Sequence, residues 1–197
     1  MKHRIIIGIS GVSGSIYALR LIEILLGLPK EIHIMASDMA LKVFKHEQNK
    51  DLHEIIHQME ASAGVRADAI IHDNNNLFAP VASGSFQTEG MVIIPCSMKT
   101  LSAVASVYTH TLLDRAADVT LKERRPLILV TRESPLSLIH LRNMVAVTEA
   151  GATVMPACPG FYHHPKSIDD LADFMVARVL DHLKIEYPHA PRWGSND

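Results

Sequence analysis

The chain has 197 residues, 48% hydrophobic and 20% charged, with a formal net charge of −2. That size and balance fit one globular domain with a substantial core and exclude a broad basic footprint for nucleic acid. No apolar run approaches the ~20 residues of a membrane span, and Cys96 and Cys158 are too few and too far apart for a disulfide scaffold or a CxxC zinc site.

Residues 4 to 9 form a short isoleucine-rich run, as expected of a parallel strand buried on both faces. Met1-Lys2-His3-Arg4 leads straight into it, and the run is too short for a signal-peptide core, so a cytoplasmic location is expected. Gly8-Ile9-Ser10-Gly11-Val12-Ser13-Gly14-Ser15 follows, and then a helix with Ile16, Leu19, Ile22 and Leu26 at helical spacing. Such a turn offers backbone N–H groups and the positive end of a helix dipole. It reads as a cradle for a nucleotide or cofactor phosphate, or as a tight turn with no ligand. It is neither Gly-x-Gly-x-x-Gly nor a P-loop, and no Gly-x-Ser-x-Gly elbow runs through it.

Residues 31 to 36 alternate into a second strand ending at Ser37, with a helix from 38 to about 46. The stretch 55 to 76 is polar and ambiguous, with a short strand at 69 to 71 and a loop at Asp73-Asn74-Asn75-Asn76. A buried strand at 91 to 94 is closed by Pro95, and Ser97 caps the next helix. Helices are expected at 101 to 107 and 112 to 122, a central strand at 127 to 130, and a helix at 137 to 149 ending at Gly151. The last strand spans 153 to 156 and the last helix 168 to 183. Strand then helix, repeated, predicts an α/β fold with a doubly wound, mostly parallel sheet in three layers and ligands at the strands' C-terminal ends. Residues 1 to 187 form one domain, and residues 188 to 197 form a Pro-rich tail without its own core.

Four further segments beside strand ends carry polar groups a plain connector would not need: Ser37, Cys96-Ser97-Met98-Lys99-Thr100, Thr131-Arg132-Glu133-Ser134 and Cys158-Pro159-Gly160-Phe161-Tyr162. The twelve histidines are scattered, and no metal is expected. Lys122-Glu123-Arg124-Arg125 reads either as cations offsetting a helix dipole or as an anion site. Arg178 shares an apolar stripe with Leu171, Phe174 and Met175, so its guanidinium needs an anion, either Asp181 or a ligand phosphate. Arg115 and Asp118, three apart, read as an ion pair within one helix.

Together these segments resemble the flavin prenyltransferase family, the UbiX-type proteins. The resemblance is carried by the Gly8–Gly14 turn, Ala82-Ser83-Gly84-Ser85, Pro95-Cys96-Ser97-Met98-Lys99-Thr100-Leu101, Arg115-Ala116-Ala117-Asp118-Val119 and Leu121-Lys122-Glu123-Arg124-Arg125-Pro126-Leu127. It continues through Arg132-Glu133-Ser134-Pro135-Leu136, Ile139-His140-Leu141-Arg142-Asn143-Met144 and Pro159-Gly160-Phe161-Tyr162. The resemblance implies a Rossmann-like, flavodoxin-like subunit that binds FMN and assembles into homo-oligomers, often dodecamers, with sites at subunit interfaces. It implies transfer of a dimethylallyl group from dimethylallyl phosphate to N5 and C6 of reduced FMN, without a metal. The product would serve a UbiD-type decarboxylase.

Carried over by position, Gly11, Val12, Ser13, Ser37, Ser97, Met98, Lys99, Thr100 and Arg132 would contact FMN. Tyr162, Arg178, Lys122 and Arg132 would hold the dimethylallyl phosphate, and Trp193 would close over the site. Glu133, Glu47 and the departing phosphate are acid/base candidates, with Ser13 positioning the proton at N5 and Lys122 assisting the departure of phosphate. Two departures stand out: His110 where the family more often has Asp or Asn, and Gln48-Asn49 after Glu47 where Thr-Asp is common. The alternatives are a flavin-dependent decarboxylase of the homo-oligomeric cysteine decarboxylase type and a non-enzymatic FMN carrier.

Overall fold

A computed structural model describes residues 3–61, 64 and 66–188. The tail from residue 189 onward, with Trp193, lies outside the described residues. The strands are β1 (Arg4–Ile9), β2 (Glu31–Ala36), β3 (Asp68–His72), β4 (Gly90–Cys96), β5 (Leu127–Thr131) and β6 (Thr153–Pro156). The helices are α1 (Ser15–Leu26), α2 (Asp38–Gln48), α3 (Leu52–Glu60), α4 (Met98–Ala105), α5 (Leu112–Lys122), α6 (Leu138–Glu149) and α7 (Ile168–His182). A short 3-10 turn covers Pro80–Ala82.

The six strands form one sheet in the order β3-β2-β1-β4-β5-β6, and every pairing is parallel. That is the doubly wound order, with its switch point between β1 and β4, where chain connections leave for opposite faces and open a crevice. β1 shows why both faces are covered. Ile5, Ile7 and Ile9 pack into the layer of α1, α2, α3 and α7, while Ile6 packs into the layer of α4, α5 and α6. Each such side chain contributes about 1.5–3 kcal/mol on burial, so a strand buried on both sides fixes both layers at once. Gly8 lies beneath α5: a Cβ there would come 3.2 Å from Leu113 and 3.3 Å from Met91.

Several elements depart from the sequence expectation. β2 is buried at all six positions rather than alternating. Its polar residues are matched inside: Glu31 accepts from Arg4 Nε at 2.8 Å and lies 3.0 Å from His33 Nε2. β4 does not stop before Pro95 but runs to Cys96, and its register against β5 shifts between Ile93 and Cys96. Helix α3 occupies the stretch read as ambiguous. Asp51 caps it by accepting from Glu54 N, and Leu52 and Ile56 bury one face. Helix α4 starts three residues earlier than predicted, at the residue after its Ser97 cap.

Candidate functional site

The β1–α1 turn is built for an anion, and the chain supplies one. Gly14, the residue before α1, has φ +116°, a conformation that favours glycine. The Glu47 carboxylate, from the last turn of α2, accepts from Gly14 N (3.2 Å to each oxygen), Ser15 N (2.9 Å) and Ser15 Oγ (2.6 Å). Burial pushes the Glu47 carboxyl up, but hydrogen bonds from the Ser13 and Ser15 hydroxyls and the Ser15 and Gly14 N–H groups outweigh it and hold the group below the usual range. The turn, one reading of which is a phosphate cradle, here holds a carboxylate of its own chain. Its positive end is neutralised from inside.

Ser10 and Arg132 join the strand ends across the switch point. Ser10, 1% exposed, donates its hydroxyl to Pro95 O at 2.9 Å and accepts from Ser97 N at 2.7 Å. The end of β1 is thereby tied to the start of α4, a brace that local sequence does not signal. Arg132, just past β5, donates from Nε to the Ser13 carbonyl at 3.3 Å. Ser13 and Arg132 thus share one rim; Glu133, the next residue, is exposed, and its carboxylate accepts from Ser134 N at 3.0 Å.

Beside this rim lies a cavity of about 800 Å³. Gly11, Ser37, Ser97, Lys99 and Thr100, all expected in the site, line it. Val12, Ser13, Met98 and Arg132 are not among its walls. Gly11 presses on the first turn of α2, where a Cβ would come 2.4 Å from Met39 Cβ and 2.5 Å from its Cγ. Three helix N-termini open on the cavity. Ser37 caps α2 by accepting from Ala40 N (3.1 Å), Ser97 caps α4 through Thr100 N (3.3 Å), and Thr111 caps α5 in a capping box with Asp114. Lys42 and Lys99 are opposed by Asp38 and Asp114 in the same walls, so the preference for an anion falls to the helix ends.

Sequence reasoning did not find Lys42, Asn74, Tyr108 or Asp114 in this wall. Asn74, after β3, binds α5 from a distance: its backbone O accepts from Leu112 N and its Oδ1 from Leu113 N, at 2.8 and 2.9 Å. His110, noted as a departure, faces the cavity and stacks on Tyr108 with ring centroids 5.8 Å apart. Cys96 takes no part as a thiolate, since burial pushes its thiol up to about 12.

The remaining expected residues lie elsewhere on this chain. Arg178 is not on a buried stripe: its side chain is 52% exposed and pairs with Asp181 at 3.1 Å. Helix α7 buries Ala172, Met175, Val176, Val179 and Leu180 instead, leaving Arg178 on the rim with half-buried Leu171 and Phe174. Tyr162 packs edge-on against Phe174 at 5.7 Å. Lys122 ends α5, which runs from the Asn74 end of the sheet back toward its opposite edge, where Pro126 O accepts from Met91 N. Eleven residues of helix put it about 16 Å from the cavity end of α5. It pairs there with Glu123 at 2.5 Å, while Arg125 donates to Phe86 O and Gly84 O. The Arg115–Asp118 pair is as expected, at 2.8 Å.

A family model described as Flavoprotein matches residues 1–180. A flavin prenyltransferase UbiX from Escherichia coli is 48% identical over 186 residues, 94% of each chain. Among solved structures, AnUbiX in complex with FMN and dimethylallyl pyrophosphate superposes with a TM-score of 0.91 at 40% identity, covering all of both chains. A dodecameric FMN-dependent UbiX-like decarboxylase from Escherichia coli superposes at 0.89 with 38% identity, covering 98% of this chain and 100% of its own. The chain belongs to the flavoprotein family, among its UbiX-type flavin prenyltransferases.

Proposed function

We propose that the chain transfers a dimethylallyl group from dimethylallyl phosphate to N5 and C6 of reduced FMN, making a cofactor for a UbiD-type decarboxylase. The observation that carries this is the cavity on which three helix N-termini converge, beside the Ser13–Arg132 rim. Its donor set fits FMN. Ser37 Oγ accepts its cap bond and keeps its O–H to give to a phosphate. Ser97 donates to Thr100 Oγ1 at 3.2 Å, which leaves the Thr100 hydroxyl proton for the ligand. Lys99 and Lys42 offset Asp114 and Asp38, which leaves the helix ends to favour the anion. The phosphate belongs at these helix ends and the ring toward Ser13 and Arg132, because Glu47 already fills the α1 end.

Reduced FMN, when bound, supplies the nucleophilic N5 and C6. The C–O bond of dimethylallyl phosphate breaks with its electron pair on phosphate, one proton leaves N5 with the phosphate, and one passes from C6 to the prenyl chain. Arg132 steadies the negative charge on the departing oxygen. Ser13 holds the proton at N5, and Glu133, the residue after Arg132, moves the proton at C6. Glu47, fixed as an anion, orients Ser13 rather than cycling its own proton. Tyr162 and Arg178 flank Phe174 and supply a second phosphate contact, for which Arg178 must exchange Asp181 for the substrate.

Lys122, at the far end of α5 from the cavity, is assigned to the phosphate of a neighbouring copy in a homo-oligomer with shared sites. Helix α6 supports this: Leu138, Ile139, Leu141 and Val145 are exposed, and Val147 is its buried residue. No described helix is long and apolar enough to cross a membrane, and the enzyme is assigned to the cytoplasm. Anaerobic incubation with reduced FMN and dimethylallyl phosphate, followed by the mass of the extracted flavin, tests the reaction. A gain of one C5H8 unit is expected; bound flavin of unchanged mass would contradict it.

A further inference from the structure

The α1 end is closed by more than Glu47. Gln48, the next residue of α2, places Nε2 2.8 Å from Ser15 Oγ, the same oxygen that lies 2.6 Å from Glu47 Oε2. A serine hydroxyl has one proton, and an ionised carboxylate only accepts. That proton therefore belongs to the bond toward Glu47. Ser15 Oγ must accept from its other neighbour, so Gln48 turns its amide N–H toward it. The direction of the chain is set: Gln48 donates to Ser15, and Ser15 donates to Glu47. Donation into the hydroxyl polarises it and strengthens the bond it gives onward.

We propose that Gln48 is a positioning residue of the flavin site: through Ser15 it keeps Glu47 anionic, and Glu47 in turn holds the Ser13 hydroxyl and the Gly14–Ser15 backbone in one arrangement. The proposal rests on the FMN reading of the site given above. Hydrogen bonds alone hold the charge on Glu47. The last turn of α2 carries Lys45 and His46, both exposed. The helices packed on α2 carry Tyr17, Arg20 and Glu23 on α1, and His53, Glu54, His57 and Glu60 on α3. None of these ion-pairs with Glu47 among the described residues; Arg20 is engaged by Glu23 and Asp173. The donors are therefore the place where the charge can be altered.

Gln48→Leu keeps bulk and removes the donor. Gln48→Glu adds a carboxylate that competes for the single Ser15 proton. Each variant and the wild type are titrated with oxidised FMN by fluorescence quenching, and assayed for prenylation, from about pH 3 to about pH 8. The acid limb of both profiles is expected to move up by about half a pH unit in the Leu variant and about one unit in the Glu variant. Unfolding temperature at neutral pH reports any folding defect separately. Acid limbs that stay in place in both variants, whatever their stability, overturn the proposal. The FMN-binding profile needs no transfer step. A wild type that binds FMN with a Gln48-dependent acid limb but prenylates nothing would keep this role and refute the reaction instead.

Discussion

Two sets of helix N-termini in this fold meet negative charge in opposite ways. At α1 the chain closes the site itself, with Glu47 taking the Gly14 and Ser15 donors. At α2, α4 and α5 the caps Ser37, Ser97 and Thr111 serve their own helices, and the ends converge on a cavity. The electrostatics of a helix end is the same in both places. What differs is whether a carboxylate from the next helix arrives first. The Gly/Ser turn is thus tied to its own chain beside Ser13, and the three-helix mouth is left open to a ligand.

The largest effect is expected where the two regions meet. Gly11→Ala drives a Cβ into Met39 and separates the β1 turn from α2; FMN affinity, measured by fluorescence quenching, should fall by about a hundredfold or more, on the order of 3 kcal/mol. Glu47→Ala opens the α1 end. Leaving the Gly14 and Ser15 donors without an acceptor costs about 2 kcal/mol, and added phosphate or sulfate should recover part of the loss in unfolding temperature, because the end has become an anion site. If neither ion raises the unfolding temperature of that variant more than that of the wild type, the two regions are not equivalent after all.

Smaller changes test the open mouth. Ser37→Ala removes both the α2 cap and a phosphate donor, costing about 1 kcal/mol of stability and several-fold in FMN affinity. Acid should act on the closed end through Glu47. The Glu47 carboxyl is depressed in the folded chain, so its contribution is complete above the usual carboxylate value of 4.5 and is lost as pH falls through the lower folded value. Glu47→Gln should flatten that part of the unfolding profile. Arg178→Ala, on the surface, should leave stability within about 0.5 kcal/mol and FMN affinity unchanged, while raising KM for dimethylallyl phosphate.

The strand ends were legible in the sequence because each carries polar residues immediately after an apolar run, as Ser97-Met98-Lys99-Thr100 does after β4. Helix α3 was obscured because His53, Glu54, His57 and Gln58 outweigh Leu52, Ile55, Ile56 and Met59, although the latter stand at helical spacing. Arg178 was misread because three apolar neighbours on one stripe do not reveal whether that stripe faces the core or its margin. The Glu47 closure, the Ser10 brace and the Asn74 contact to α5 join residues 32 to 87 positions apart, and no local pattern encodes them. The position of Lys122 at the far edge follows from the direction of α5, which only the sheet order reveals.

The most direct test of the account is the position of the phosphate in a crystal structure of this chain with FMN. The phosphate should lie among the N-termini of α2, α4 and α5, touching Ser37 and Thr100, with Glu47 still bonded to Gly14 and Ser15. A phosphate bound to Gly14 and Ser15 with Glu47 displaced would contradict it.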